Sequence, residues 1–371
     1  MKPKMVVFGE DWGRHPSSSQ HLIRALAKHF EVVWINSIGL RQPRWQDLTR
    51  LASKAVARSP GPSQAPFKVI APKVWPLARS PWLQRLNRAR MRRSLADVGP
   101  VDFVWCALPS AEAYLDLFPG ARVIYYCGDD FGSLSGVDHA EVLRAEQRLV
   151  ARAEWVFCAS DILTRGFDHP AVFTVRHGVD LRHFSRPCSR PGPLPRGVVL
   201  GYYGSLAPWL DYGLLDTLTT ALPECQLVLI GDNQSCPRAL LDKANVHHLG
   251  RLPHDELAAY AQHFDVALLP FLPTPQIAAC DPLKLREYLA AGVPVVGTDF
   301  DAARGYACGV QLATTREEFV AMVLMSLLSR PKVAEIRMQV LGQGWDDRAE
   351  LVLSKLQPDR CKLQSCRRAM A

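Results

Sequence analysis

Several features that would assign this chain to a common functional class are missing from its sequence. No apolar run is long enough to cross a bilayer, and residues 5–8 read as a strand rather than as part of a signal peptide. We therefore expect a cytoplasmic protein. No loop carries G-x-G-x-x-G, which argues against a nicotinamide-dependent dehydrogenase.

Cysteine and histidine are present, but not at the spacings that build metal sites. None of the ten cysteines forms a C-x-x-C pair, and no H-E-x-x-H array occurs. Several cysteines fall within predicted strands, which favours reduced, partly buried thiols over a disulfide framework. We expect neither a metal site nor a bound cofactor.

The chain's length and patterning indicate two domains of the α/β class. Its 371 residues are 48% hydrophobic, and short apolar strands alternate with amphipathic helices throughout. The Pro-rich segment 185–197 is predicted to be a linker between domains at 1–184 and 198–345, and residues 346–371 to form a helix and tail crossing back to the first domain. This predicts two doubly wound, Rossmann-like domains facing a cleft lined by the carboxyl ends of the strands. The strands are expected at 4–8, 31–35, 102–105, 122–126, 155–158 and 171–174, then at 198–203, 226–230, 246–249, 266–271, 293–296 and 310–312.

The net charge of +8 is unevenly distributed. The stretch between Arg79 and Arg93 is rich in arginine, contains no acid, and has Trp82 and Leu86 among its apolar residues. Such a helix could lie on an anionic membrane surface, be a solvated helix face, or bind another polyanion. No recognition fold accompanies it, so we expect no nucleic-acid partner.

The run DPLKLREYLAAGVPVV at 281–296 is the most informative segment. It follows the predicted strand 266–271, with Asp281 expected as N-cap, Pro282 in the first turn and Gly292 at the end of the helix. Helical spacing places Lys284 and Glu287 on one face, where a cation could hold phosphate and a carboxylate could accept bonds from ribose hydroxyls. An ordinary surface ion pair at i,i+3 is the alternative.

Three other loops at predicted strand ends contain candidate ligand groups. Gly13 lies in the loop after the first strand, whose backbone could meet a phosphate or sugar. Asp129 and its neighbour Asp130 follow the strand 122–126, where two carboxylates would be expected to face a polar cleft. Gly204 and Ser205 bring bare backbone to the sheet edge in the second half.

These segments together resemble the GT-B glycosyltransferases of the bacterial group-1, family 4-like class. The resemblance rests on IYYCGDDF, RHGVDLRHF, GYYGSLAPWL, NVHHLGRLPHDEL and, most specifically, PLKLREYLAAGVPVVGTDF, and it runs along nearly the whole chain. It implies a hexosyltransferase-like enzyme that transfers a sugar from a nucleotide-sugar to a glycan or lipid-linked acceptor in envelope or exopolysaccharide synthesis. It also implies retention of configuration, for which no metal and no dedicated base are required.

The resemblance assigns roles by position. Glu287 is expected to hold the ribose, Lys284 to lie by the diphosphate and Asp129 near the donor sugar, so Asp129 and Lys284 are the candidate catalytic residues. Gly13, Gly204, Ser205, Arg251 and Leu285 complete the expected donor contacts, with Arg286 as an alternative to Arg251. The family pattern E-x7-E has its first acid where this chain has Ala279, and no Lys or Arg lies from Gly204 to Pro223.

Two other functions remain open from the sequence. A nucleotide-sugar epimerase on the same fold would share the nucleotide site and could use Asp129 and Asp130 as acid and base. A non-catalytic nucleotide-sugar-binding scaffold would account for Ala279. The sequence Asp299-Phe300-Asp301 matches the D-x-D of metal-dependent transferases with another fold, but its position after a strand predicts an ordinary loop.

Overall fold

The computed structural model describes residues 2–13, 17–38, 65–75, 80–133 and 138–356. It divides into two compact units. The chain up to Arg176, together with the chain from Arg348 onward, forms the first domain, and His177–Asp347 forms the second. Residues 177–197, expected to end the first domain and link the two, are therefore part of the second.

The first domain contains a seven-stranded parallel sheet in the order β3-β2-β1-β4-β5-β6-β7. Its central strands are short apolar runs buried on both faces, as expected when helices cover a parallel sheet. The strands are β1 Lys4–Phe8, β2 Glu31–Ile35, β3 Lys68–Ile70, β4 Phe103–Cys106, β5 Arg122–Cys127, β6 Trp155–Cys158 and β7 Val172–Thr174. The helices are Ser18–Leu26, Pro81–Ser94, the 3-10 helix Pro109–Leu117, His139–Val150 and Asp161–Arg165. In the C-terminal helix Trp345–Leu356, the Lys355 ammonium lies 4.9 Å from the centre of the Phe173 ring.

The second domain contains a six-stranded parallel sheet in the order β10-β9-β8-β11-β12-β13. After β8 the chain adds β9 and β10 on one side of it, and then β11, β12 and β13 on the other. Sheets of this kind bind ligands where the strand order reverses, which here is the boundary between β8 and β11. The strands are β8 Val199–Tyr203, β9 Gln226–Ile230, β10 Val246–His248, β11 Val266–Leu269, β12 Val295–Thr298 and β13 Val310–Ala313. The helices are Leu181–Ser185, Tyr212–Ala221, Arg238–Leu241, His254–Ala261, Pro275–Ala279, Leu283–Ala291, Arg316–Leu328 and Val333–Met338.

The helix Leu283–Ala291 begins later than predicted. Pro282 is the N-cap residue, and Gly292 ends the helix with a φ of 85°, a left-handed conformation that glycine adopts without strain. Asp281 is not the cap. Its carboxylate instead accepts a 2.7 Å bond from Arg286 Nη1 and a 2.7 Å bond from the backbone N–H of His177. A buried guanidinium requires a counter-charge, and Asp281 supplies it.

The Pro-rich segment predicted as a linker is attached to the second domain. Gln262 Nε2 donates to the carbonyls of Phe184 and Arg186, and the backbone N–H of Cys188 donates to Gln262 Oε1. One side chain after the helix His254–Ala261 thus anchors the start of this segment. The start of the segment is therefore packed on the second domain, to which the whole segment belongs.

The basic helix Pro81–Ser94 forms as predicted, whereas Arg79 lies outside the described residues. Asn87 and Met91 are buried against the first domain, and Trp82 is 70% exposed. Its inner face is therefore used for packing, and its outer face is arginine-rich. Within the described part of the chain, no helix combines the length and apolarity needed to cross a membrane.

Candidate functional site

Two glycines bring backbone segments together at the carboxyl edge of the second sheet. Gly204 follows β8 with a φ of 132°, and Gly231 follows β9 with a φ of 146°. A Cβ atom on Gly231 would lie 2.0 Å from the carbonyl oxygen of Gly204. Only glycine can occupy this position without moving the backbone, so the two loops form one close-packed, bare surface.

Lys284 extends from the first turn of the helix Leu283–Ala291 to this surface. A Cβ atom on Gly204 would lie 2.8 Å from Lys284 Nζ, which is 3.4 Å from the Tyr202 hydroxyl. The ammonium lies 5.1 Å from the centre of the Tyr202 ring and 5.6 Å from that of Phe271. Aromatic faces stabilise a cation held in this way, and the positive end of the helix lies beside it. This arrangement suits a phosphate group.

Glu287, one turn further along, is held by two side chains that sequence reasoning missed. The Tyr203 hydroxyl donates to Glu287 Oε2 at 2.7 Å, and His254 Nε2 lies 3.4 Å from Glu287 Oε1. Glu287 is only 8% exposed, so these partners offset the cost of burying its charge. A carboxylate has about four acceptor positions, so it can still accept bonds from a pair of hydroxyls.

The Glu287 carboxylate changes the pKa of His254. Burial lowers its pKa, but the hydrogen bond and the negative charge of Glu287 outweigh that effect and raise the pKa overall. The ring also stacks on His183, with centroids 5.7 Å apart. In the sequence, His254 stands out only because it follows a proline at the start of the helix His254–Ala261. Nothing in the neighbouring residues indicated that His254 contacts Glu287.

Lys284 and Glu287 are thus directed at different partners, unlike an ordinary surface i,i+3 pair. Two more predicted contacts lie in neighbouring loops. The carbonyl of Ser205 accepts a 3.3 Å bond from the Tyr202 hydroxyl. Arg251, half-exposed after β10, approaches Asp232 at 4.0 Å between Nη1 and Oδ2.

Three other positions serve the core of the second domain. Leu285 is fully buried, and its backbone N–H bonds to the Pro282 carbonyl, so its side chain contributes packing. Arg286 is 1% exposed and engaged by Asp281 and by Gln343, so it cannot replace Arg251 at the surface. Ala279 is buried in the short helix Pro275–Ala279, where an acid would need a partner.

Neither acid of the D-x-D sequence forms a metal site. Both carboxylate oxygens of Asp299 are bonded to Arg304 at 2.7 Å. Among the residues that the structure describes, no group of three or more His, Cys, Asp or Glu side chains could hold a metal ion.

The first domain brings acids together at the carboxyl edge of its own sheet. Glu10 follows β1, and its pKa is raised to about 7 by burial and by the charges of Asp129 and Asp11, although its own backbone N–H lowers it. The pKa of Asp129, after β5, is raised to about 6, first by restricted hydration and second by Asp130. Asp129 is exposed to solvent, which weakens the hydration effect. Sequence reasoning found Asp129 but missed Glu10.

Gly13 lies in the same loop as Glu10. It has a φ of 77°, and its backbone N–H donates to Gln20 Oε1 at 3.4 Å. That hydrogen bond ties the loop to the helix Ser18–Leu26. Residues 14–16 lie outside the described part of the chain.

Comparison with known proteins relates the second domain to a family. Residues 198–329 match the family model for Glycosyl transferases group 1. Most of the second domain is therefore similar to this family. Every nucleotide-binding candidate described above, apart from those in the first domain, lies within the matched residues.

A curated relative is TuaH of Bacillus subtilis (strain 168), provisionally named a teichuronic acid biosynthesis glycosyltransferase. It is 29% identical over 218 residues, which cover 53% of this chain and 55% of TuaH. The match thus spans about half the length of that relative.

Solved structures show the fold. HepE of Anabaena, in complex with UDP and glucose, matches with a TM-score of 0.68 and 14% identity, covering 96% of this chain and 99% of HepE. Sucrose-phosphate synthase of Thermosynechococcus elongatus matches with a TM-score of 0.66 and 15% identity, covering 98% of this chain and 99% of that one. The chain therefore has the GT-B fold of two parallel-sheet α/β domains, as predicted.

Proposed function

We propose that this protein transfers a sugar from a nucleotide-sugar donor to a glycan or lipid-linked acceptor. The observation that carries the proposal is the convergence of Lys284 with the Gly204 and Gly231 backbone, beside a buried carboxylate at Glu287. A nucleoside diphosphate requires both features: a positively charged surface with bare backbone for its phosphates, and an acceptor for its ribose hydroxyls.

The chemistry proposed for Lys284 is stabilisation of the leaving diphosphate. Breaking the bond between the sugar and the phosphate leaves negative charge on the phosphate oxygens, and a fixed ammonium near the positive end of a helix stabilises that charge. Glu287 fixes the ribose and so the position of the phosphates. The acceptor hydroxyl forms the new bond to the sugar as the bond to phosphate breaks, and its proton passes to the departing phosphate oxygen. Transfer with retention therefore requires no dedicated base in this scheme, and Asp129 of the first domain is assigned to the donor sugar.

The relatives support this choice of reaction and setting. TuaH is named for teichuronic acid biosynthesis, which motivates an acceptor in envelope or exopolysaccharide synthesis. HepE was solved with UDP-glucose as well as with UDP and glucose, which motivates a uridine nucleotide as the first donor to test.

The test is release of free nucleotide from a panel of UDP-, GDP- and ADP-sugars, with and without a membrane extract as acceptor source. The proposal predicts that one donor releases nucleotide faster when the acceptor is present. Acceptor-independent conversion of one nucleotide-sugar into another would indicate an epimerase, and tight binding without turnover would indicate a scaffold. Either result would overturn the proposal.

We also propose that the helix Pro81–Ser94 contacts an anionic membrane surface. Arg88 is engaged with Asp116, whereas Arg85, Arg92, Arg93 and the Trp82 indole are exposed on its outer face. Arginines near an anionic surface contribute about 1 kcal/mol each, and an exposed indole can enter the interface. Flotation with phosphatidylglycerol vesicles should recover the protein, and replacing Arg92 and Arg93 by Gln should reduce recovery. Equal recovery with neutral vesicles would contradict the proposal.

A further inference from the structure

The first domain contains a cavity with no assigned role. It has a volume of about 520 Å³, within the usual range for small-molecule sites. It is lined by residues of the helix Pro81–Ser94, the 3-10 helix Pro109–Leu117 and the helix His139–Val150, together with Trp75 and Ile38. Glu10 and Asp129 are not among its lining residues, so it is separate from the acidic edge of the sheet.

Trp75, at the side of this cavity, is fixed by a buried amide. Asn87 is 3% exposed, and both ends of its side chain bond to the backbone of Trp75. Asn87 Nδ2 donates to the Trp75 carbonyl at 2.7 Å, and the Trp75 N–H donates to Asn87 Oδ1 at 2.9 Å. The Trp75 residue itself is 52% exposed. A buried amide thus fixes the Trp75 backbone beside the cavity, while the residue itself stays half-exposed.

Ser110, also on the cavity wall, has a hydroxyl that the domain does not use. It is 7% exposed, and among the residues that the structure describes its buried Oγ has no hydrogen-bond partner. An unsatisfied buried hydroxyl is costly, so it suits a ligand group that can donate and accept. Tyr114 lies beside it on the wall, and burial raises the pKa of its phenol to about 12 despite the opposing effects of Arg88 and Asn87. Tyr114 therefore stays a neutral hydroxyl.

The charged groups of the wall favour an uncharged ligand. Arg88 pairs with Asp116 at 2.9 Å, and Arg148 pairs with Glu112 at 3.0 Å. Glu141 pairs with Arg144 at 2.8 Å. Because each of these charges has an opposite charge beside it, the lining residues that the structure describes exert no net attraction on a phosphate or a carboxylate. Hydroxyl groups and an aromatic face remain as its recognition elements.

We propose that this cavity binds a neutral saccharide unit of the glycan on which the enzyme acts. The apolar face of a sugar ring would pack on the Trp75 indole, and its hydroxyls would bond to Ser110 and Tyr114. The identity of the glycan depends on the proposed function, whereas the binding of a saccharide in this cavity does not. None of the donor residues of the second domain contributes to the cavity.

The test is saturation-transfer NMR of the full chain with the methyl glycosides of glucose, galactose, N-acetylglucosamine and N-acetylgalactosamine. At least one should receive saturation from the wild type. Trp75→Ala should weaken its binding about tenfold or more, as expected for an anchoring aromatic residue. Ala113→Trp should do the same by filling the cavity, since Ala113 is an exposed wall residue that can be enlarged without disturbing the core.

Leu143→Ala is the control, because Leu143 is an exposed apolar residue of the helix His139–Val150 that does not line the cavity. It should leave glycoside binding unchanged. The proposal would be overturned if none of the four glycosides received saturation from the wild type. It would also be overturned if saturation transfer in Trp75→Ala and Ala113→Trp were equal to that in the wild type. Calorimetry with UDP on the same samples separates the two questions: UDP binding without glycoside binding rejects only the cavity, and glycoside binding without UDP binding rejects only the donor site.

Discussion

Replacing Lys284 by Met should remove affinity for the diphosphate without disturbing the rest of the nucleotide site. Methionine keeps an unbranched side chain that can lie between the Tyr202 and Phe271 rings, which now flank the ammonium at 5.1 and 5.6 Å. The backbone of Gly204 and Gly231 is unchanged. The substitution therefore deletes one charge at the proposed phosphate position.

The expected loss follows from the kind of bond removed. A hydrogen bond to a charged group contributes about 1.5–3 kcal/mol, which corresponds to roughly 10–150-fold in the dissociation constant. The flanking rings and the adjoining Gly204 backbone limit access of water to the Lys284 ammonium, so we expect the upper half of this range. Since charge on the diphosphate grows as the sugar departs, kcat should fall as well.

The assay is calorimetric titration of the variant with UDP and with uridine at fixed ionic strength. UDP binding should weaken, and uridine binding should stay the same because uridine has no phosphate. Lys332→Met is the control, since Lys332 is 84% exposed and pairs only loosely with Glu335. Unchanged UDP affinity in Lys284→Met, or an equal loss for uridine, would refute the reasoning.

Three further predictions test the groups around this site and in the first domain. Glu287 raises the pKa of His254 in the folded protein. The pair therefore stabilises the fold below the ordinary histidine pKa, and this stabilisation is lost as pH rises through the raised pKa. The difference in Tm between wild type and His254→Gln should shrink from about pH 5.5 to about pH 8.5. Arg286→Met leaves the buried Asp281 carboxylate without its cation and should cost about 3–5 kcal/mol in urea unfolding, much of which Asp281→Asn in the same chain should restore. The pKa of Glu10 is raised to about 7, so its ionisation destabilises the fold as pH rises above the ordinary value, and Glu10→Gln should raise Tm above wild type at about pH 8.5 but not at about pH 4. A pH-independent Tm difference for His254→Gln or Glu10→Gln, or a loss below about 1 kcal/mol for Arg286→Met, would contradict these accounts.

The central strands of both sheets could be predicted from the sequence because each is a continuous apolar run between turn residues. The edge strand β3 Lys68–Ile70 was not predicted, since it is only three residues long and half-exposed. The helix Leu283–Ala291 was also predictable, since Gly292 and the following proline mark its end. Its first turn was not, because Asp281 satisfies the requirements of an N-cap and of a counter-ion equally well. Only the buried position of Arg286 decides between them, and burial is a property of the assembled domain.

The same limit applies to the candidate site. Lys284 and Glu287 could be found because they share a helix face, and Gly204 because it follows a strand. His254 and Tyr203 could not be connected to Glu287, since they lie on different elements and meet it only after the sheet forms. Glu10 and Asp129 likewise come close at one sheet edge from distant parts of the chain, although β4 lies between the strands that they follow.

The central claim is that the second domain holds a nucleoside diphosphate between Lys284 and Glu287. A crystal structure of the wild-type protein with UDP tests it most directly. We predict phosphate oxygens within hydrogen-bonding distance of Lys284 Nζ beside Gly204, and the ribose hydroxyls on the Glu287 carboxylate. UDP bound with its phosphates away from Lys284, or with its ribose not touching Glu287, would contradict the account.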